Sequence, residues 1–247
     1  MNIPAFYFGR VFGKQQQTKT NDMKIKIIAS AIVLMTAMSV QGQVIRGGVN
    51  LANISITNDG DVDDNKMLTS FQVGVIGNVK ILPMFFFQPG LIFTGKGSKT
   101  QSGETTDATY FRATSNPYYL EVPANFVFKT PTGPLKLFIG GGPYIAVGVA
   151  GKNKVDGKFL GTSFSSEEKI KWSDDDPSTL DYEEGSGYGI LKRFDYGLNG
   201  TAGIEMSKSV LSVHYGHGLA KLQSGSNSSA DDKNKHRVFS ITLGLKL

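Results

Sequence analysis

The stretch that most constrains this chain is Arg237-Val-Phe-Ser-Ile-Thr-Leu-Gly-Leu-Lys-Leu247. Phe239, Ile241, Leu243, Leu245 and Leu247 share one parity. Val238, Ser240, Thr242, Gly244 and Lys246 share the other. Successive Cβ atoms of a strand point to opposite sides, so a period of two is the strand period. One side of this strand therefore meets something apolar, and the other is small or polar. A soluble sheet fits this pattern, and so does the closing strand of a barrel whose outside is lipid.

The same signal recurs upstream and predicts seven more strands. They cover Val44–Ser55, Thr69–Leu82, Phe85–Gly97, Pro117–Lys129, Leu135–Val149, Ile190–Ser207 and Val210–Leu222. Pro89 predicts a bulge or irregular pairing in the third. Long polar connections are expected after strands one, three, five and seven, with Ser98–Ser115 and Ala150–Gly189 as the second and third of them. Very short turns such as Pro83-Met84, Thr130–Pro134 and Lys208 follow strands two, four and six. An up-and-down barrel with one trimmed end and one elaborated end has this alternation. In outer-membrane barrels the turns are periplasmic and the loops extracellular. The expected fold is all-β: an eight-stranded antiparallel up-and-down transmembrane β-barrel, with both termini at the periplasmic end.

Which face is wet decides between this and a secreted lipocalin-like barrel. Three features favour lipid outside. Nearly every strand has a Val, Ile, Leu, Phe and Ala face. Charged residues sit on the opposite face in mid-strand. Aromatics gather near strand ends, at Phe85-Phe-Phe87, Tyr118-Tyr119, Phe126, Phe128, Phe194 and Tyr196, as in interfacial girdles.

The formal charge of +5 points towards nucleic acid only superficially. Residues 1–42 hold five bases and one acid, and the remainder carries a net of only +1. No clustered basic face argues for a nucleic-acid partner. Met23-Lys-Ile-Lys26, the apolar run Ile27–Val40 and the small residues before Gln43 form a secretory signal pattern. The expected organisation is an upstream extension at 1–22, a signal peptide at 23–42 and a barrel domain at 43–247. With no cysteine there is neither a disulfide framework nor a thiolate metal site.

From Gln43 to Leu247 several blocks occur in a characteristic order: Gly48-Val-Asn-Leu-Ala-Asn53, Phe87-Gln-Pro-Gly-Leu-Ile92, Tyr119-Leu-Glu-Val-Pro123 and Ile139-Gly-Gly-Gly-Pro-Tyr144. Phe194-Asp-Tyr-Gly-Leu-Asn-Gly-Thr-Ala-Gly-Ile-Glu205 and Tyr215-Gly-His-Gly-Leu219 follow. The chain resembles the PorT-like outer-membrane β-barrel family. That resemblance implies a small eight-stranded barrel in the outer membrane, with a molecular role mostly unassigned. The namesake is tied to a protein-secretion and gliding machinery. Assembly signals of such barrels favour a terminal aromatic, and Leu247 departs from that pattern.

The candidate site is a lumen polar cluster of Arg46, Glu121, Asp195, Glu205 and His214. Buried carboxylates are costly unless paired, and Arg46, Lys80, Lys136 and His214 are the expected partners. The cluster reads as a structural plug, or else as a ligand or ion site. An eight-stranded barrel is only wide enough for side chains to fill it, which argues against an open pore. Ser212 and His214 share a face, the minimum for a lipid-modifying barrel enzyme. His214 and His217 face opposite sides, which is poor geometry for a shared metal. Asp59-x-Asp61-x-Asp63 resembles the start of a calcium loop, but Asp64 and Ser70 stand where Gly and Glu belong. Weak cation binding there or at Asp174-Asp-Asp176 is the alternative to solvated acids. Gly140-Gly-Gly-Pro143 lacks the Lys-Ser/Thr and helix of a phosphate loop, so those glycines are expected to serve strong sheet curvature or close lumen packing.

These readings predict a monomeric barrel with a structural or interaction role through its extracellular loops. No catalysis, cofactor or metal is expected. Its partners would be outer-membrane lipid, the barrel-assembly machinery during biogenesis and an envelope protein. Ligand or ion transport through the lumen acids and a lipid-modifying activity are the alternatives.

Overall fold

A computed structural model of the chain describes residues 43–55, 57–58, 61–62, 67–131, 133–172, 190–222 and 235–247. The expected extension and signal peptide lie outside these residues, as do Asp59, Asp63, Asp64 and Asp174-Asp-Asp176. Eight strands form the staves of a barrel: β1 Val44–Ser55, β2 Leu68–Ile76, β3 Phe85–Gly95, β4 Tyr110–Lys129, β5 Lys136–Phe159, β6 Phe194–Glu205, β7 Ser209–Gly218 and β8 Lys235–Lys246. Each pairs antiparallel with its chain neighbours. The ring closes where β1 meets β8, from Val44↔Lys246 to Ser55↔Lys235. The alternating stretch at the end of the chain is thus the closing seam. Closure matters because backbone groups in hydrocarbon must find partners within the protein. Among the described residues no helix is long and apolar enough to cross a membrane; the crossing elements are strands.

The outer face is the apolar one. Val49, Val73, Ile139, Ile145, Leu198, Leu211, Ile241 and Leu243 are all exposed on it. The inward parity is polar and buried, with Asn50, Gln72, Thr94, Asn125, Thr201, Ser212, Ser240 and Thr242. This is the reverse of a soluble barrel. Two aromatic groups flank the apolar belt. Phe85, Phe87 and Phe126 cluster towards the short-turn end with ring centroids 5.3–5.8 Å apart. Phe71, Phe93 and Tyr118 cluster towards the other end at 5.3–5.9 Å. Not every aromatic expected in the girdles belongs there. Tyr119 is completely buried in the lumen, and Phe86 lies 4.8 Å beneath the Lys129 ammonium.

The ladder between β3 and β4 lapses at Gly90 and Leu91, beside Pro89 and Pro123. Proline has no N–H to give a ladder. The glycines of β5 permit close approach to the neighbouring strand's backbone. A Cβ at Gly142 would collide with the carbonyl oxygen of Ala124 on β4, and one at Gly140 with that of Phe126.

Two segments expected as polar loops form β-structure instead. Ser98–Ser102 pairs with the first part of β4. β5 continues to Phe159, turns at Leu160-Gly161, and returns as Thr162–Lys169. The four strands project beyond the aromatic group that holds Tyr118. A register shift between Tyr118 and Tyr119 marks where the barrel becomes this projection; a bulge bends a strand and raises its twist. Sequence polarity suggested loops here because most of the projection meets water, and the buried positions of its hairpin are Asp156 and Gly157 rather than large apolar residues, so no apolar alternation is required of it.

Candidate functional site

The lumen side chains form layers along the barrel axis. The uppermost layer closes the elaborated end. Trp172 packs edge-on to Tyr119 at 5.5 Å, and its indole lies where a Cβ on Gly148 would be. Only glycine at 148 leaves that space. The His236 ring stands edge-on to Tyr119 from the other side, with Nε2 3.2 Å from the tyrosine hydroxyl. Ile170, Ala220 and Leu222 are buried nearby in the chain segments at this end.

Lys96 forms the next layer. It follows β3 directly and is 3% exposed. Its ammonium contacts Glu121 Oε2 at 2.6 Å and donates to Asp195 Oδ2 at 2.9 Å. It also lies 3.9 Å from the Tyr144 ring centroid, a favourable place for a cation. Tyr144 donates its hydroxyl to Asp195 at 3.1 Å, and Asn199 donates to Glu121 at 3.1 Å. One cation between two carboxylates, each further hydrogen-bonded, meets the condition under which buried ions are tolerated. The adjoining void is only about 30 Å³, room for a water or so.

Arg46, His214, Ser212 and Thr242 lie in a third layer. Arg46 Nη1 is 3.2 Å from His214 Nε2. Ser212 Oγ and Thr242 Oγ1 lie 3.0 and 2.9 Å from the same nitrogen, and 2.8 Å from each other. A guanidinium only donates, so Nε2 must be accepting from it. That lone pair is then poorly available to take a proton from Ser212, which weakens the Ser/His pair as a nucleophile and base.

The lowest layer lies at the short-turn end. Glu205 accepts from Lys129 and from Lys246, each at 2.7 Å. This ties β4, β6 and β8 together at their ends. A cavity of about 230 Å³ sits between this layer and the third.

The five expected lumen residues therefore all point inward, four of them in two adjoining layers about one small void and Glu205 apart from them. Glu121 and Asp195 meet at Lys96. Arg46 meets His214. Glu205 is separate, with two lysines of its own. Two of the expected partners need correction: Lys80 is exposed and Lys136 is bonded to none of these acids; Arg46 acts on Glu121 across the small void, and the cations in direct contact with the acids are Lys96, Lys129 and Lys246. A signal was present for all three. Lys96 shares parity with Ile92 and Thr94, Lys129 with Asn125 and Val127, and Lys246 with Thr242 and Gly244. His217 lies on the outward parity beside Tyr215. Among the described residues no group of three His, Asp or Glu side chains is placed to hold a metal ion.

The family model described as outer membrane protein beta-barrel domain matches residues 43–224. No curated protein matches the chain. Solved structures that match include Ail of Yersinia pestis in complex with the heparin analogue sucrose octasulfate. It is 16% identical over 84% of this chain and 100% of that one, with a TM-score of 0.36. Neisserial surface protein A is 12% identical over 84% and 99%, with a TM-score of 0.37. OprG of Pseudomonas aeruginosa is 13% identical over 84% and 96%, with a TM-score of 0.39.

Proposed function

This chain belongs to the outer membrane protein beta-barrel domain family, and from that premise we propose that it is a non-catalytic interaction protein that engages another envelope or surface protein through its projecting sheet. The observation that carries this reading is the hairpin tip. Leu160 has φ of +47° and is 77% exposed. Phe159 beside it is 63% exposed, and Phe164 just beyond the turn is also exposed. A leucine in the left-handed region is strained. Unfavourable backbone and solvated apolar side chains at one projecting tip are what a contact surface would require.

Two further features support it. Thr162–Lys169 is an edge strand among the described residues, exposed along its whole length. Its outer half, Thr162-Ser-Phe-Ser-Ser166, carries no charge that would discourage strand addition. The lumen, by contrast, is filled at the Lys96 layer, which argues against a conducting role. The finer likeness to PorT-like barrels rests on the ordered sequence blocks and belongs to the same reading.

A photo-crosslinking residue at Leu160 or Phe164 in intact cells tests it. Discrete protein adducts are expected at both positions. They should be absent with the same probe at lipid-facing Ile241 and lost when Phe159 is changed to Glu. Identical adduct patterns at tip and belt, or none at the tip, would overturn the reading. The filled lumen predicts no steady single-channel conductance in planar bilayers.

A further inference from the structure

The cavity of about 230 Å³ at the short-turn end has an unbalanced lining. Its charged residues are Arg46, Lys129, Lys246 and Glu205, three cations and one anion. Glu205 is engaged by both lysines. Among the described residues, Arg46 has no carboxylate within 4.0 Å. Glu121, which lines the small upper void with it, makes its direct contacts with Lys96 and Asn199 and acts on Arg46 only through space. The Arg46 guanidinium spends one N–H on His214, and its Nε is buried with no partner among the described residues. Thr201 Oγ1 is likewise buried without such a partner on the wall of the same cavity.

A desolvated guanidinium with an unbonded N–H and no direct ion pair is costly. Glu121 of the polar plug attracts Arg46 across the small upper void, but not through a direct ion pair, and the Arg46 Nε still lacks a hydrogen-bond partner among the described residues. Val44, Ile76, Phe138 and Val210 form an apolar wall of the same cavity. The site thus combines a forked donor, a hydroxyl and an apolar surface within a small volume.

We propose that this periplasmic cavity binds a small organic carboxylate. The carboxylate would sit on Arg46 and Thr201, with a short apolar body against Phe138 and Val210. A planar carboxylate matches the guanidinium fork in a way that a halide does not. The volume equals that of roughly eight waters, which fits an anion the size of benzoate or hexanoate and excludes a long acyl chain. This site uses the lumen bases, and its occupant would enter from the periplasm without crossing the Lys96 layer.

Isothermal titration of the full barrel in detergent with benzoate, and with its neutral isostere benzamide, tests the proposal. Saturable binding of benzoate and none of benzamide is expected. Arg46→Gln should weaken benzoate at least about tenfold, the loss of a charge-assisted fork. Thr201→Val, which removes only a hydroxyl, should weaken it about fivefold. Val210→Trp, which fills the apolar wall, should abolish binding and keeps the test decisive if Arg46→Gln does not fold. Absence of saturable heat with benzoate would overturn the proposal. So would equal binding of benzamide, or undiminished binding in a folded Val210→Trp barrel.

Discussion

Lysine and carboxylate meet in two settings in this molecule. In the lumen, Lys96 bridges Glu121 and Asp195 with every partner nearly free of solvent. On the projecting sheet, Lys152 pairs with Glu167 at 2.5 Å, and Lys154 with Asp156 at 2.9 Å. The distances are similar, but Lys152 and Glu167 are 62% and 47% exposed. In water a pair gains little, because solvent already satisfies both ions; exposed pairs contribute about 0–1 kcal/mol. In the lumen there is room for little solvent to replace a lost partner. Contact distance alone therefore does not rank these interactions, and the burial of what is left behind does.

The largest expected effect follows from that. Lys96→Met strands two buried carboxylates and should cost about 3–5 kcal/mol, read as a lower urea midpoint for the barrel refolded in detergent. The triple variant Lys96→Met, Glu121→Gln, Asp195→Asn should recover most of it. If the single variant is neutral, the contrast between lumen and projection fails. Glu205 tests an intermediate case. Its two lysines sit at the barrel mouth, and Lys246 is 25% exposed. Glu205→Gln should cost about 1–3 kcal/mol, less than Lys96→Met in the same assay.

Smaller effects belong to the projection. Leu160→Gly removes the left-handed strain and should stabilise the hairpin by about 1 kcal/mol. Slower hydrogen exchange of the Phe159–Lys169 amides, with an unchanged barrel midpoint, is the expected readout. The same change should weaken crosslinking at Phe164, since the apolar tip is lost. Lys152→Ala should leave the urea midpoint unchanged, because solvent replaces the lost partner.

The smallest effect concerns pH. Asp156 lies beyond the aromatic belt. A hydrogen bond from Lys154 is the main reason its carboxyl sits below the usual range; Ser165 and Arg112 add to this. Its folded pKa is depressed, so its stabilisation is present above the unfolded value of about 3.9 and is lost as pH falls through the folded value. Acid should therefore loosen the hairpin before the barrel, visible as faster exchange at Ser165 and Asp156.

Most of the barrel is legible from residue type alone, because the inside and outside of a strand are set by parity. Arg46, Glu121, Asp195, Glu205 and His214 are recognisable as lumen groups for that reason. Their grouping is not. Lys96 reaches Asp195 from 99 positions away, and Glu205 meets Lys129 across 76. Which lumen residues share a height depends on the stagger between strands, and stagger is a property of the closed ring. The projection is hidden in the sequence for a different reason. Pairing there joins polar segments through backbone groups, which every residue carries, so side-chain pattern holds little trace of it.

The alternating stretch at 237–247 illustrates the division. By itself it determined a strand with an apolar face and a polar face, since pleating is local. The sequence as a whole also determined the strand number, the trimmed and elaborated ends and the membrane side of each strand. Only the tertiary structure decided that this strand seals against Val44–Ser55, that Lys96 plugs the lumen, and that Arg46 faces a cavity without a direct ion pair among the described residues. Those outcomes depend on how far each strand slides past its neighbour when the ring closes, and no single strand encodes that distance.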